Sequence, residues 1–473
     1  MHQTLLLFGA TGDLSTRYIF PSLANLLRDH LLPRDFRVIA VGRQKHTSED
    51  FRESLIATIS AKAPADVQIS DIAELLPLIE YADVGDMSDP AHIASRLKTY
   101  AGSPCLSFLA TPPNLFVSIA QGLAGAGLLD APSRLVLEKP IGRDLASARE
   151  IIRNIDQYIS EDRVFRIDHY LGKAAVQNLL ALRFGNALLE AVWNRHWIET
   201  VDILVAETAG VDGREGYYAN YGALRDMVQN HILQLLCLIA MEPPGSLNAD
   251  AVRNEKVKVL QALRPMTAQN APNDSVRGRY EAGVVDGQAA AGFVQPPGQA
   301  PTDTFVGLRA YIDTWRWTGV PFRLCTGKRL AERCTQIVIT FRHTSHWLFA
   351  KPTRERATPN RMVFRLQPDE NIELDLMSSL AGPEWGALEL QPLPLDLSMQ
   401  MRPRRRIAYE RLLLDALNGN SALFVRNDEV EAAWQWIDSV AAAWEAAKTP
   451  LLPYLAGSWG PKEARAFLQP VGR

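Results

Sequence analysis

The sequence predicts two parts: an α/β part with a parallel sheet, then a larger α+β part built on a mostly antiparallel sheet. Three observations predict it. Apolar runs in the first third end in Gly, Pro or charged residues and alternate with helical periodicity. The first of them, Thr4 to Phe8, leads directly into Gly9-Ala10-Thr11-Gly12-Asp13-Leu14. Later strand-like runs are joined by hairpin-like or irregular links. The division falls near residue 175, giving segments 1–175 and 176–473.

Composition sets the outer limits. The chain has 473 residues, 47 % hydrophobic and 22 % charged, which suits a globular protein with a large core. A formal net charge of −3 provides no general field for nucleic acid or membrane, so neither is expected as a partner. The densest basic cluster is Arg402, Arg404, Arg405 and Arg406, read as a solvated loop or subunit edge. The four cysteines, Cys105, Cys237, Cys325 and Cys334, form no CxxC, and the first two lie in apolar surroundings. There is no charged leader followed by an apolar stretch, and no apolar run spans a bilayer. A reducing cytoplasm is the expected location. No metal site is expected; His343 and His346 lack nearby cysteine or acid partners and read as strand-edge residues.

The first element pair is strand, glycine turn, helix, with Ile19, Leu23, Leu26 and Leu27 marking the helix and Pro21 inside it as a bend. Glycines let the backbone approach a pyrophosphate that the helix N-terminus then stabilises, as in a Rossmann dinucleotide site. The motif is GxxG rather than GxGxxG, and a plain β-α turn remains open. The second strand, Arg37 to Val41, ends in Gly42-Arg43. An NAD site places an acid there; the planar donors of Arg43 suit a 2′-phosphate instead, with Thr11 as a further donor. A solvated arginine is the alternative.

Helices are expected at 48–61 and 69–78. The strand Cys105 to Ala110 follows, then a helix from about Asn114 to Gly127. The strand Ser133 to Leu137 delivers Glu138-Lys139-Pro140, and Leu145 to Tyr158 reads as an amphipathic helix. Ligands bind beyond the carboxyl ends of parallel strands, which makes Lys139 a candidate at the cofactor–substrate junction. The last strand of the first part, Val164 to Ile167, delivers Asp168-His169-Tyr170-Leu171-Gly172-Lys173. A helix beginning near Tyr170 aims its N–H groups at an anion. If the turn starts at His169, His169 and Lys173 share one face. A helix start capped by Asp168, with Lys173 in solvent, is the other reading.

In the second part, His196 to Glu207 reads as a strand, and Asp212 to Gly222 as a loop rich in Gly and Tyr. The helix Ala223 to Ala240 carries Arg225, Asp226, Asn230 and His231. Asp226 and His231 lie five apart, roughly 140° around an α-helix, so neither is expected to orient the other. A catalytic His231 then needs an acid from elsewhere, and Asp168 is the candidate; a core histidine is the alternative. Residues 277–299 read as an irregular excursion, with strands at 304–312, 336–342, 361–366 and 372–376. Lys328 sits on a Gly-supported loop, with Arg333 five residues on as a weaker candidate. Trp315 and Trp317 read as core before sugar-stacking. Helices close the chain at 409–418 and 428–448.

Together these residues describe a dehydrogenase: a dinucleotide fold, an arginine for a 2′-phosphate, a histidine base, and a His/Tyr/Lys patch for an anion. The segments GATGDL at 9–14, EKP at 138–140, RIDHYLGK at 166–173, WNR at 193–195, RDMVQNH at 225–231, WRWTGVPF at 315–322 and TGK at 326–328 carry a resemblance over essentially the whole length. LFVRNDEVEAAW at 423–434 and AGSWGP at 456–461 extend it. The chain resembles the glucose-6-phosphate dehydrogenase family. The resemblance implies that His231 is the general base and Asp168 its orienting acid. It implies that His169, Tyr170 and Lys173 hold the sugar 6-phosphate. Lys139 then touches substrate and nicotinamide, and Glu207, Asp226 and Lys328 bond the glucose hydroxyls. Thr11 and Arg43 grip the 2′-phosphate of NADP+, on the turn formed by Gly9, Gly12, Asp13 and Leu14. The implied reaction is oxidation of glucose 6-phosphate to the 6-phosphogluconolactone, opening the oxidative pentose phosphate pathway, by a homodimer or homotetramer. Three departures bear on loop geometry and cofactor strength: Cys325 where an Arg is common, Ala174 where a Glu is common, and LMSSLAGPEW in place of a lysine before Pro-Gly. Another sugar or sugar-phosphate dehydrogenase and a silent dinucleotide-binding regulator are the competing readings.

Overall fold

The computed structural model describes residues 3–62, 68–346, 358–380, 389–397 and 407–468. The arginine cluster at 402–406 and part of the 376–385 segment lie outside them. The chain forms two units, and neither is one continuous stretch. The first comprises Met1–Ala174, Pro244–Asn254 and Arg404–Trp434; the second comprises Ala175–Pro243, Glu255–Pro403 and Gln435–Arg473. The expected division near 175 makes no provision for the two segments that return to the first unit, because long-range pairing leaves no mark on local periodicity.

The sheet of the first unit contains β1 (Thr4–Phe8), β2 (Arg37–Gly42), β3 (Ile79–Asp83), β4 (Cys105–Leu109), β5 (Arg134–Leu137) and β6 (Val164–Ile167). Its order is β3, β2, β1, β4, β5, β6, all parallel, with Phe424–Val425 added antiparallel beyond β6. β1 and β4 are wholly buried, as apolar strands covered on both faces must be. Strand order reverses direction between β1 and β4, the switch point where such sheets bind ligands. β3 is absent from the sequence reading. It follows the helix Ile69–Leu75 and one turn at Leu76–Leu78, so the helical and alternating patterns run together.

Pro21 lies just past a junction between two helical forms rather than inside a single α-helix. A π-helical turn, Ser15–Ile19, comes first, and Pro21 lies in the opening turn of the α-helix Phe20–Arg28. The chain stays helical across the junction, with the Phe20 N–H donating to Ser15 O, and a widened turn accommodates a residue that lacks an N–H.

The second unit is built on a nine-stranded sheet. Ile198–Ala206 lies inside it, flanked by Phe322–Gly327 in parallel and Cys334–Phe341 antiparallel. Most of the remaining pairs are antiparallel, in keeping with expectation; the edge strand Leu451–Leu455 is parallel to Ser275–Glu281. The 277–299 stretch is not wholly irregular: it contains most of Ser275–Glu281 and the short hairpin Gly283–Val285 with Gln288–Ala290. Ser275–Glu281 takes its hydrogen bonds from strands distant in sequence, Phe305–Ala310 and Leu451–Leu455, which no local pattern reveals. Likewise the expected loop at 212–222 is largely the helix Glu215–Ala223, broken at Gly222 (φ 64°, ψ 178°). Tyr217 and Tyr221, four apart, stack on it with centroids 4.6 Å apart.

Trp317 is core, donating from its indole N–H to Ala240 O at 2.8 Å, whereas Trp315 is 95 % exposed. His343 and His346 lie past the end of their strand and are exposed. Cys105, Cys237 and Cys325 are buried. Among the described residues, no helix is long and apolar enough to cross a membrane.

Candidate active site

The turn after β1 is fixed by its own backbone. Gly9 takes φ +74°, and a Cβ there sits 2.3 Å from Ala110 O at the end of β4. Only glycine accepts both that conformation and that approach. Gly12 N–H donates to Gly9 O at 2.9 Å, and the Ser15 hydroxyl donates to the same oxygen at 2.9 Å. Thr11 is exposed on the turn, Leu14 is half-buried, and Asp13 pairs with Arg17 at 2.9 Å in solvent. Beside Gly9, Thr111 Oγ1 is buried without a hydrogen-bond partner. Arg43 is exposed immediately beyond β2. A bare glycine turn, an orphaned hydroxyl and an exposed arginine at adjacent strand ends fit a phosphorylated dinucleotide.

At the end of β5, Glu138 is buried and Lys139 half-buried, and the Lys139–Pro140 bond is cis. Burial pushes the Glu138 carboxyl up to about 7, although the Tyr409 hydroxyl donates to it at 3.0 Å and Lys139 is close. Tyr409 opens the returning helix Ala408–Asn418, and its ring lies nearly parallel to that of His169, at 6.3 Å. Sequence reasoning did not single out Glu138 or Tyr409; EKP marked the strand exit, but nothing local links it to residue 409.

The Asp168–Lys173 stretch is not the start of a helix. Asp168 Oδ1 accepts the Tyr170 N–H at 2.9 Å, and successive turns follow through Leu171, Gly172 and Lys173. The helix begins at Ala174. His169 and Lys173 are therefore not an i,i+4 helical pair, and the amides of Tyr170 to Lys173 are spent in these turns. Asp168 competes for the backbone in the way short carboxylates do. Gly172 is tied to the returning segment as well, because a Cβ there meets Ala408 O at 2.6 Å. Asp168 is 2 % exposed and Tyr170 5 %, while His169 and Lys173 are half-buried. The Lys173 ammonium lies 3.9 Å from the Tyr170 ring centroid.

In the second unit, Glu207 directly follows the strand Ile198–Ala206, and Lys328 directly follows Phe322–Gly327. These neighbouring strands run parallel, so their exits coincide and the two side chains form an ion pair. Lys328 therefore leaves a strand end rather than a free loop, and its ammonium is 5.7 Å from the Tyr218 ring centroid. Arg333 is exposed on the link before Cys334–Phe341.

Asp226 and His231 are 6 % and 1 % exposed. They lie on a π-helical segment, Leu224–Ile232, that passes into the α-helix Leu233–Ala240. Its i→i+5 bonding sets residues five apart about one turn apart. Asp226 and His231 therefore occupy one side of the segment, contrary to the expectation from α-helical spacing. The Tyr217 hydroxyl donates to Asp226 Oδ1 at 3.4 Å.

Residues 6–178 match the family model described as glucose-6-phosphate dehydrogenase, NAD binding domain, and residues 180–473 match its C-terminal domain. The chain belongs to the glucose-6-phosphate dehydrogenase family. It is 44 % identical to the glucose-6-phosphate 1-dehydrogenase of Zymomonas mobilis, over 99 % of this chain and 98 % of that one. Identity to the Rhizobium meliloti enzyme of the same name is 42 %, over 98 % and 96 %. A solved glucose-6-phosphate dehydrogenase, described as in complex with its substrate glucose-6-phosphate, superposes with TM-score 0.87 at 33 % identity, covering 99 % and 97 % of the two chains.

Two departures from the glucose-6-phosphate dehydrogenase pattern are now located. Cys325 is buried within Phe322–Gly327, and burial pushes its thiol well up, so it is a neutral core residue. Ala174 is the exposed first residue of its helix. Neither displaces a residue proposed to hold a ligand.

Proposed function

We propose that this chain oxidises glucose 6-phosphate at C1 to 6-phosphoglucono-1,5-lactone, with NADP+ as the oxidant. The observation that carries the reading is the near full-length likeness to a solved relative described with glucose-6-phosphate as its substrate. The buried or paired polar residues that each unit presents support it.

Gly9, Thr11, Gly12, Asp13 and Leu14 would seat the pyrophosphate, and Arg43 with Thr11 the 2′-phosphate. The chemistry NADP+ supplies when bound is acceptance of a hydride. His169, Tyr170 and Lys173 bind the sugar phosphate, with Lys173 as the point charge. Lys139 bonds the substrate on the nicotinamide side. Glu207, Asp226 and Lys328 orient the sugar hydroxyls, and Arg333 adds charge nearby. His231 takes the C1 hydroxyl proton onto an imidazole nitrogen as the C1–H electron pair leaves with the hydrogen, and the C1–O bond becomes a carbonyl. Asp168 orients that imidazole and stabilises the cation it becomes. A histidine suits this work near neutrality. The protein is assigned to the cytoplasm and to a homodimer or homotetramer, which light scattering of the purified chain tests.

The deciding experiment is NADPH formation from glucose 6-phosphate by wild type and His231→Asn. The variant loses about 10²-fold or more in kcat with KM little changed. Wild-type turnover in the variant would remove His231 as the base. No reduction of NADP+ by the wild type would remove the reading itself.

A further inference from the structure

The π-helical segment Leu224–Ile232 needs something to set its frame. Such segments are rare and occur mostly as single turns inside α-helices. Were this one α-helical, Asp226 and His231 would swing to roughly 140° apart. The chain enters it through Gly222, whose φ of +64° breaks the preceding helix. Directly above that glycine is Asp303, and a Cβ on Gly222 lies 3.0 Å from both of its carboxylate oxygens. Asp303 comes from a different part of the second unit, two residues before the strand Phe305–Ala310.

We propose that Asp303 is a positioning residue for the oxidation proposed above: it clamps the start of the π-helical segment and so keeps Asp226 and His231 on one side of it. Asp303 Oδ2 accepts the Leu224 N–H at 3.0 Å, and its main-chain carbonyl accepts the Ala223 N–H at 2.9 Å. One residue thus satisfies two of the donors that a helix start leaves without partners. Its side chain does the work of an N-cap from a distant position, and a carboxylate is favoured at that end of the helix dipole. Asp303 is only 5 % exposed, with the Arg277 guanidinium 3.9 Å away. Its neighbours are tied down too. The Thr302 hydroxyl donates to Ala219 O at 2.9 Å, and Thr304 Oγ1 shares a 3.0 Å hydrogen bond with the Tyr454 hydroxyl. The clamp therefore has a fixed base on one side and a glycine that yields to it on the other.

The test compares Asp303→Ala and Asp303→Asn in the full chain. Steady-state kinetics with glucose 6-phosphate and NADP+ are read beside amide hydrogen exchange over residues 224–232. The alanine variant loses about 10-fold or more in kcat, keeps its NADP+ KM within about 2-fold, and exchanges faster over 224–232. The asparagine variant, whose amide oxygen still accepts the Leu224 N–H, recovers most of the kcat and the protection. Wild-type kcat in the alanine variant overturns the proposal. So does equal impairment of both variants with exchange over 224–232 unchanged. If the alanine variant does not fold, Asp303→Leu, which fills a similar space without an acceptor, replaces it: a reduced kcat with faster exchange supports the clamp, and wild-type values overturn it. An inactive wild type counts against the proposed reaction alone, and the exchange arm still decides the role of Asp303.

Discussion

Arg43 and Glu138 illustrate what single side chains contribute here. Arg43 is exposed beyond β2 with its fork of donors available to a 2′-phosphate. Arg43→Ala is expected to weaken NADP+ much more than NAD+, as read by titration of each cofactor; equal losses would mean that this side chain does not read the phosphate. Glu138 contributes through pH. Its ordinary carboxyl value of 4.5 is raised to about 7 in the folded chain, chiefly by burial. A carboxyl raised on folding favours the folded state at low pH and loses that contribution as pH climbs. The loss runs between pH 4.5 and about 7. Glu138→Gln keeps an oxygen for the Tyr409 hydroxyl but cannot ionise. Its melting temperature relative to wild type is expected to rise across that window, measured by thermal unfolding at several pH values. A constant difference would rule out Glu138 as the titrating group. Of these two residues the sequence singled out only Arg43, as a candidate where an NAD site places an acid. Glu138 depends on a partner 271 residues away.

At the scale of elements, the strand, glycine turn and helix at the start were legible because turn chemistry is local. Gly9 is the clearest case. Gly9→Ala is expected to cost about 1–3 kcal/mol in stability and to weaken NADP+ binding, since the left-handed backbone and the contact with Ala110 O both resist a methyl group. Denaturant unfolding with cofactor titration measures both, and a neutral substitution would mean the turn relaxes elsewhere. The π-helical segments were not legible. Apolar spacing in 223–240 supports a helix of some kind, but a shift from i→i+4 to i→i+5 bonding leaves the same residue types in place. The Asp168–Lys173 turns were missed for a related reason. Asp before a polar run suits an N-cap and an Asx turn equally, and the choice falls to Gly172 packing on Ala408.

For the whole molecule, the first unit needs its returning segment. Within that segment, Glu410 accepts a buried hydrogen bond from Asn25 at 2.7 Å, and Phe424–Val425 extends the parallel sheet at β6. Arg134 donates to Ala416 O and Leu417 O, capping the helix Ala408–Asn418 from β5. A chain ending at residue 403 is expected to lose cooperative unfolding of the first unit and with it NADP+ binding. Retained binding, measured by calorimetry, would show that the first unit does without residues 404–434. The sequence by itself determined five of the six parallel strands of the first unit, its glycine turn, the family, and the place of Arg43, Lys139 and Asp168 at strand exits, because each rests on local backbone preference or on short motifs. Only the tertiary structure decided that the first unit closes with residues from 404 to 434. It also decided that the helix of His231 opens as a π-segment. Both depend on hydrogen bonds between segments far apart in the chain, and no residue type announces its distant partner.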